Sequence, residues 1–261
     1  MINVVVSGCN GAMGRVLTKA IEEMEDITIV AGIDKNKDLY KNNYPVYESP
    51  LLVKEKCDVI IDFSKPSNLS GLLEYSVNNN IALVIATTGF SKEEEEKIKE
   101  ASKLTRIFKS SNMSLGINLL INLSKQATNI LGNITDIEII EKHHNKKVDA
   151  PSGTAKMIAN AINEELDNSM EFNYGRIGTD AKRKENEIGI HAVRGGTITG
   201  DHTVIFAGLD EIIEIKHTAL SKKVFAQGAI KAAQYILNKE NGLYDMNSLI
   251  NNNWKIKIGD T

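Results

Sequence analysis

Residues 2–24 read INVVVSGCNGAMGRVLTKAIEEM. Ile2–Val6 is a run of β-branched residues of the kind that fills a strand covered on both faces. Met13, Val16, Leu17, Ala20, Ile21 and Met24 then recur at helical spacing. Gly8, Gly11 and Gly14 sit in the turn between them, spaced G-x-x-G-x-x-G, with Asn10 in the place of the first glycine's usual partner. A strand, a tight glycine turn and a helix start bring backbone N–H groups and a positive dipole end against a pyrophosphate. Asn at position 10 is expected to tolerate left-handed backbone angles. An ordinary βα turn has the same glycines, so neighbouring signals have to decide.

Those signals are present. Asp34 ends the next strand-like run, Ile27–Ile33, 20 residues beyond Gly14, where an acid accepts hydrogen bonds from a ribose diol. Lys35 beside it is placed to meet a 2′-phosphate. Val59–Phe63, Ile81–Ala86 and Thr105–Lys109 are further strand candidates, and Ser91 with Glu94 forms a capping-box pattern. ATTGF (residues 86–90) and SSNM (110–113) follow strands, at the end of an open sheet where ligands bind. Alternating strands and helices over the first 110 residues predict a parallel sheet.

The middle of the chain reads differently. Helices are expected at Ser114–Leu131 and Ser152–Leu166, with a strand at Ile137–Ile140 between them. Asp167–Glu187 reads as a long mobile loop. Three strand-like runs follow at Ile188–Val193, Thr197–Phe206 and Glu211–His217, then a helix at Lys222–Leu237 and a tail that ends near Trp254 and packs back on the first domain. The fold class expected is α/β, a Rossmann-type dinucleotide-binding domain with a second α+β domain carrying a mixed sheet. Its boundaries are 1–114 with 222–261 for the first domain and 115–221 for the second.

The 261 residues suffice for a proper hydrophobic core. A formal net charge of −3 and 5% aromatic residues argue against a nucleic-acid surface. Cys9 and Cys57 have no metal-binding spacing and read as reduced structural thiols. The chain enters INVVVSG without a signal-like stretch, and its long uncharged runs are too short and too polar to span a bilayer, so a cytoplasmic protein is expected.

One stretch carries chemistry of its own. Residues 138–155 read EIIEKHHNKKVDAPSGTA. His143, His144, Lys146 and Lys147 crowd together, which costs Coulomb energy unless an anion joins them. Consecutive histidines in a strand point apart, which disfavours a metal. A plain solvated loop stays open as a reading. Pro151 and Ser152 turn the chain into a helix whose first turn holds Gly153 and Thr154, a receiver for a carboxylate. Lys147 lies just upstream, so the two ends of a small dicarboxylate could be held here while a histidine delivers a proton. His191, His202 and His217 are expected to be structural, Asp62 to close a strand end, and Arg194 to point toward the substrate.

The knot closely resembles the signature of the dihydrodipicolinate reductase family, now called 4-hydroxy-tetrahydrodipicolinate reductase. GCNGAMG, DFS at 62–64, ATTGF, NMSLGIN and RGGTITGDHTVIF extend the resemblance over the whole chain. It implies an enzyme of lysine and diaminopimelate biosynthesis that reduces a cyclic dicarboxylate with NADH or NADPH. By the same resemblance, His143 is the proton donor and acceptor, Lys147 a proton donor, His144 a substrate-binding residue, and Gly153 with Thr154 the carboxylate-binding pair. The implied cofactor contacts are Gly8, Cys9, Asn10, Gly11, Ala12, Met13, Asp34, Lys35, Ala86, Thr87, Thr88, Ser110, Ser111, Asn112 and Met113. Lys35 stands where some members carry Arg, and Lys lacks the bidentate fork, which tilts the expectation toward NADH with dual use. Lys222 also stands where Arg is often found. A homotetramer built through the central sheets is implied, as is domain closure over a hinge near Ser114 and Lys222. The alternatives are another small amino- or keto-acid dehydrogenase, and a dinucleotide-sensing protein without turnover.

Overall fold

The computed structural model describes residues 1–254; the end of the expected tail, 255–261, lies outside the described residues. The chain divides into two compact units, one of Met1–Leu115 with the chain from Lys222 onward, the other Gly116–Ser221.

In the first unit β1 (Ile2–Ser7) leads to α1 (Ala12–Glu22), followed by β2 (Ile27–Ile33), the two-residue β3 (Val46–Tyr47) and β4 (Val59–Asp62). Then come α2 (Leu69–Asn79), β5 (Ala82–Ile85), α3 (Lys92–Ser102) and β6 (Arg106–Lys109). Ser91 and Glu94 make the full capping box at the start of α3. After the second unit, described below, the chain returns to the first.

The second unit holds most of α4 (Leu115–Leu131), then β7 (Asp136–His143), α5 (Gly153–Glu164), β8 (Glu171–Asn173), β9 (Glu187–Arg194), β10 (Gly200–Ala207) and β11 (Ile212–Ala219). The first unit is completed by α6 (Lys223–Ile236), β12 (Gly242–Tyr244) and α7 (Met246–Trp254).

The first sheet runs β12-β6-β5-β4-β1-β2-β3 and every pairing in it is parallel. Its central strands are mostly apolar, with Asn3, Ser7 and Asp62 as exceptions near their ends, because helices cover both faces. The two-residue period then sorts each side chain. Val4, Val6, Val59, Ile61 and Val84 join Leu17 and Ile21 of α1 and the alanine-rich side of α6. Val5, Ile60, Leu83 and Ile85 face Leu72 and Leu73 of α2 and Ile98 of α3. The chain order reverses at β1, which has β2 on one side and β4 on the other. Such a reversal opens a crevice at the carboxyl ends of the strands.

The second sheet is mixed, in the order β11-β10-β7-β9-β8. β7 lies antiparallel to β10 and parallel to β9. Ile137 and Ile139 of β7, Ile188 and Ile190 of β9, and Val204 and Phe206 of β10 pack under α4 and α5. The opposite face carries charge. The expected loop 167–187 differs here: it contains β8, and its arginines tie it down. Arg176 binds Glu138 at 2.6 Å and also Glu187, while Arg183 reaches Asp136 at 2.8 Å and Glu138 at 3.3 Å. His191 Nε2 meets the same Glu138 at 2.7 Å. Outside β8 the segment is loop over 174–186, as its polar composition indicates, and these charges pair across the sheet. Among the described residues no helix is long and apolar enough to cross a membrane.

Candidate active site

The crevice beside β1 is built from backbone. Gly8 has φ +76°, and a Cβ there would lie 2.8 Å from the Phe63 carbonyl oxygen, so the turn admits only glycine. A Cβ on Gly14 would come 2.1 Å from the Gly8 oxygen; without one, α1 packs against the turn. Gly11 is the N-cap of α1 and brings no side-chain cap, which leaves the helix start to a ligand. Gly8, Asn10, Gly11, Asp34 and Lys35 line a cavity of about 450 Å³ with Phe63, Ser64 and Lys65. Glycine backbone, a helix N-terminus and an acid at the end of β2 fit the adenosine and pyrophosphate end of a dinucleotide.

Asn10 works differently from the expectation. It does not adopt the left-handed backbone. Its side-chain amide donates to the Asn36 carbonyl at 2.7 Å and accepts from the Asn42 amide at 3.0 Å. It thereby fixes the loop that follows Asp34. Asp34 accepts from the backbone N–H of Asn10 at 3.1 Å and of Asn36 at 2.9 Å.

The other expected cofactor residues spread along the same sheet end. Ala12 and Met13 occupy the first turn of α1, Ala86, Thr87 and Thr88 follow β5, and Ser110, Ser111, Asn112 and Met113 follow β6. None of these lines the 450 Å³ cavity. The Cys9 and Met113 side chains are buried in the core, so these residues offer a ligand their backbone only. Burial, with Asp34 nearby, pushes the Cys9 thiol up to about 12. Phe63, Ser64 and Lys65 were missed as cavity residues. Their signal was position, directly after the strand that adjoins β1 at the reversal. Asp62 is buried, which raises its carboxyl, and it accepts from the Ser64 N–H at 3.2 Å.

The second unit holds the basic knot. Along β7 the inward residues are Ile137, Ile139, Glu141 and His143, so the core face turns polar just where the strand ends. His143 Nδ1 lies 2.6 Å from Glu141 Oε2. Glu141 also accepts from Ser152 N–H at 2.9 Å and from both terminal nitrogens of Arg194 at 2.7 Å each. Burial alone would raise this carboxyl, yet Arg194, His143 and the Ser152 N–H together hold it below the usual carboxylate value. Arg194 therefore faces Glu141, not an open substrate position as expected.

Ser152 caps α5, its hydroxyl accepting from Ala155 N–H at 3.1 Å and lying 3.1 Å from His202 Nε2. The His202 ring stands edge-on to His143 with centroids 5.2 Å apart. Gly153 and Thr154 begin α5, where a helix start receives an anion. Lys147 Nζ pairs with Asp149 at 2.7 Å. His144 is half-buried and Lys146 is exposed. Lys222 lies exposed at the N-cap of α6 in the first unit.

A parallel sheet whose glycine turn opens a crevice fit for a dinucleotide, joined in one chain to a buried His–Glu pair beside a helix start, is the make-up of a nicotinamide-dependent oxidoreductase. Residues 2–113 match the family model for dihydrodipicolinate reductase, N-terminus, and residues 116–250 that for its C-terminus. The chain is 52% identical over 250 residues to the 4-hydroxy-tetrahydrodipicolinate reductase of Clostridium novyi (strain NT), covering 96% of this chain and 98% of the relative. It is 51% identical, with the same coverage, to that of Caldanaerobacter subterraneus subsp. tengcongensis. A solved dipicolinate-bound dihydrodipicolinate reductase from Paenisporosarcina sp. TG-14 shares the fold at a TM-score of 0.78 and 24% identity, over 94% of this chain and 97% of that one. The chain belongs to the dihydrodipicolinate reductase family, whose reductases use NAD(P)H with an N-terminal dinucleotide-binding domain.

Burial first, then the neighbouring His143, pushes His202 from the ordinary 6.5 down to about 4. The unfolded chain therefore binds the extra proton more readily. Stability from the neutral ring is full above about pH 6.5 and falls as pH drops toward 4. Between pH 7 and pH 5 the loss is expected to be about 2 kcal/mol. His202→Gln, which cannot charge, is expected to lose correspondingly less stability over that interval. Urea unfolding of both proteins at the two pH values checks this, and an equal drop in both contradicts it.

Proposed function

We propose that the chain reduces 4-hydroxy-tetrahydrodipicolinate, by way of dihydrodipicolinate, to tetrahydrodipicolinate in lysine and diaminopimelate biosynthesis. The observation that carries the reading is the site of the second unit, where buried His143 ends a strand beside the helix start at Gly153 and Thr154. Family membership over both units favours it over an unrelated small-acid dehydrogenase or a dinucleotide sensor. NADH or NADPH, when bound, supplies hydride to the substrate ring. The chain's own residues then have three tasks. Gly153 and Thr154 hold one substrate carboxylate at the start of α5. His144 and Lys147 present positive charge or donors to the other. His143 delivers the proton that balances the hydride, with Lys147 as second donor.

The same reading gives the cofactor contacts to Gly8 through Met13, Asp34, Lys35, Ala86–Thr88 and Ser110–Met113. Asp34 suits a ribose diol and Lys35 only weakly replaces a bidentate guanidinium, so NADH is favoured and NADPH accepted. Work in the cytoplasm is in keeping with the free Cys9 and Cys57 thiols. A homotetramer is supported by the face of the second sheet away from α4 and α5. No helix of its own unit covers that face, and it carries Val193 and Ile212 exposed with Ile140 and Ile205 half-buried.

His143→Gln is expected to lower turnover by about 10² or more, the usual weight of a general acid, with cofactor binding little changed. Thr154→Val is expected to raise KM for the substrate and to leave kcat nearly intact. Near-normal turnover in the first, or an unchanged KM in the second, removes the corresponding role. Steady-state rates should give a higher kcat/KM with NADH than with NADPH, and Lys35→Ala should reduce NADPH use selectively; a strong NADPH preference contradicts the assignment of Asp34. Light scattering should return four times the chain mass, and a monomer would refute the assembly.

A further inference from the structure

Glu141 is fully buried at 0% exposure, two residues before His143 on the same face of β7. A buried carboxylate is costly, and an apolar residue of similar volume would fill the place at less expense. Here the carboxylate accepts from four donors on three separate elements: His143 of its own strand, Ser152 at the start of α5, and both terminal nitrogens of Arg194 on β9. Arg194 in turn donates to the Val193 and Asp149 carbonyls at 2.8 Å each, which leaves it no freedom to swing toward a ligand. The pairing of β7 with β9 puts His143 opposite Arg194, so the guanidinium reaches Glu141 from the neighbouring strand.

We propose that Glu141 is the positioning residue of His143 and that Arg194 keeps it ionised and aimed. An ionised carboxylate only accepts, so the Nδ1 atom facing it at 2.6 Å carries the proton. That fixes Nε2 as the nitrogen that exchanges protons with a ligand. In the charged ring Nδ1–H stays on Glu141 and Nε2–H goes to the substrate. The ring is left neutral with its proton on Nδ1, and Glu141 remains a carboxylate throughout. Gly200 leaves room at this nitrogen, since a Cβ there would lie 3.2 Å from Nε2. The proposal rests on the reading of His143 as proton donor, and it adds which nitrogen acts and what selects it.

A two-bond ¹H–¹⁵N correlation spectrum of the full-length, histidine-labelled protein reads the tautomer directly, with the His143 signals assigned by their loss in His143→Gln. Neutral His143 is expected with its proton on Nδ1; the proton on Nε2 in the unaltered protein overturns the proposal without any variant at Glu141. Glu141→Gln turns a nitrogen donor to the ring, as in other catalytic dyads whose carboxylate is replaced by its amide. It is expected to shift the proton to Nε2 and to cut kcat by about 10² or more, with KM within about threefold. Adding Glu141→Gln to His143→Gln should then cost little further, because a residue that acts only through another is not additive with it. A full additional loss in the double variant means a merely structural role and overturns the proposal. Should His143→Gln itself turn over normally, the underlying reading fails. Should His143→Gln be crippled while Glu141→Gln is normal, only the positioning role fails.

Discussion

The fully buried Glu141 carboxylate ties together the site of the second unit. The Glu141 carboxylate cannot stay ionised inside an apolar sheet without full compensation, so every donor it needs must be brought to it. Each donor comes from a different part of the chain. Arg194 ties in β9, the Ser152 N–H fixes where α5 begins, and His143 closes the end of β7. The Asp149 carbonyl, bound by the same Arg194, anchors the loop between them. The one carboxylate thus links three elements. The position of the helix start relative to the histidine is therefore tied to this carboxylate as well as to the Ser152 cap.

The first unit meets a different constraint, which is distance. A dinucleotide crevice needs backbone close to backbone, and the clash of any Cβ at Gly14 with the Gly8 carbonyl states how close. The strands tolerate this because their side chains already alternate into two separate cores. Fixing β1 between two apolar layers fixes where its carboxyl end opens. Asn10 then adds a polar tie that the glycines cannot supply, pinning the loop beyond Asp34 to the turn. The usual glycine at that position has no side chain with which to make such a tie.

These two kinds of constraint were not equally legible. β1, β2 and β4 are legible as runs rich in β-branched residues and β5 as a short apolar run, since a doubly covered strand is largely apolar on both faces, and β6 as a short strand pattern after a helix. β3, β8 and β12 are not: two or three residues at or near a sheet edge leave no periodicity to read. Within the site, the local motif was legible because a strand end, a turn and a helix start follow one another in the sequence. The Glu141–Arg194 contact was not, as it spans 53 residues and depends on the parallel register of β7 and β9. Phe63, Ser64 and Lys65 were hidden for a similar reason, since only the sheet order places them beside the glycine turn. Patterns that repeat along the chain can be read from the chain; pairings across a sheet require its topology.

The same distinction alters the electrostatics of the basic knot. In the sequence, His143, His144, Lys146 and Lys147 look like uncompensated charge awaiting an anion. In the fold, carboxylates stand beside part of this charge, two of them from the same stretch. Lys147 has Asp149 at 2.7 Å, Lys142 has Asp201 at 3.7 Å, and Arg194 has Glu141. These pairs are not equivalent. Glu141 is sealed, whereas the Asp149 side chain is 57% exposed, and an exposed ion pair contributes little. On the proposed reading, Asp149 holds Lys147, one of the groups that would receive a substrate carboxylate. An incoming carboxylate then exchanges with a weakly held internal one instead of entering an empty field of cations. The sealed pair meanwhile keeps His143 in place. The knot thus has two layers: an exposed outer pair, Lys147 with Asp149, and a sealed inner one, Arg194 with Glu141.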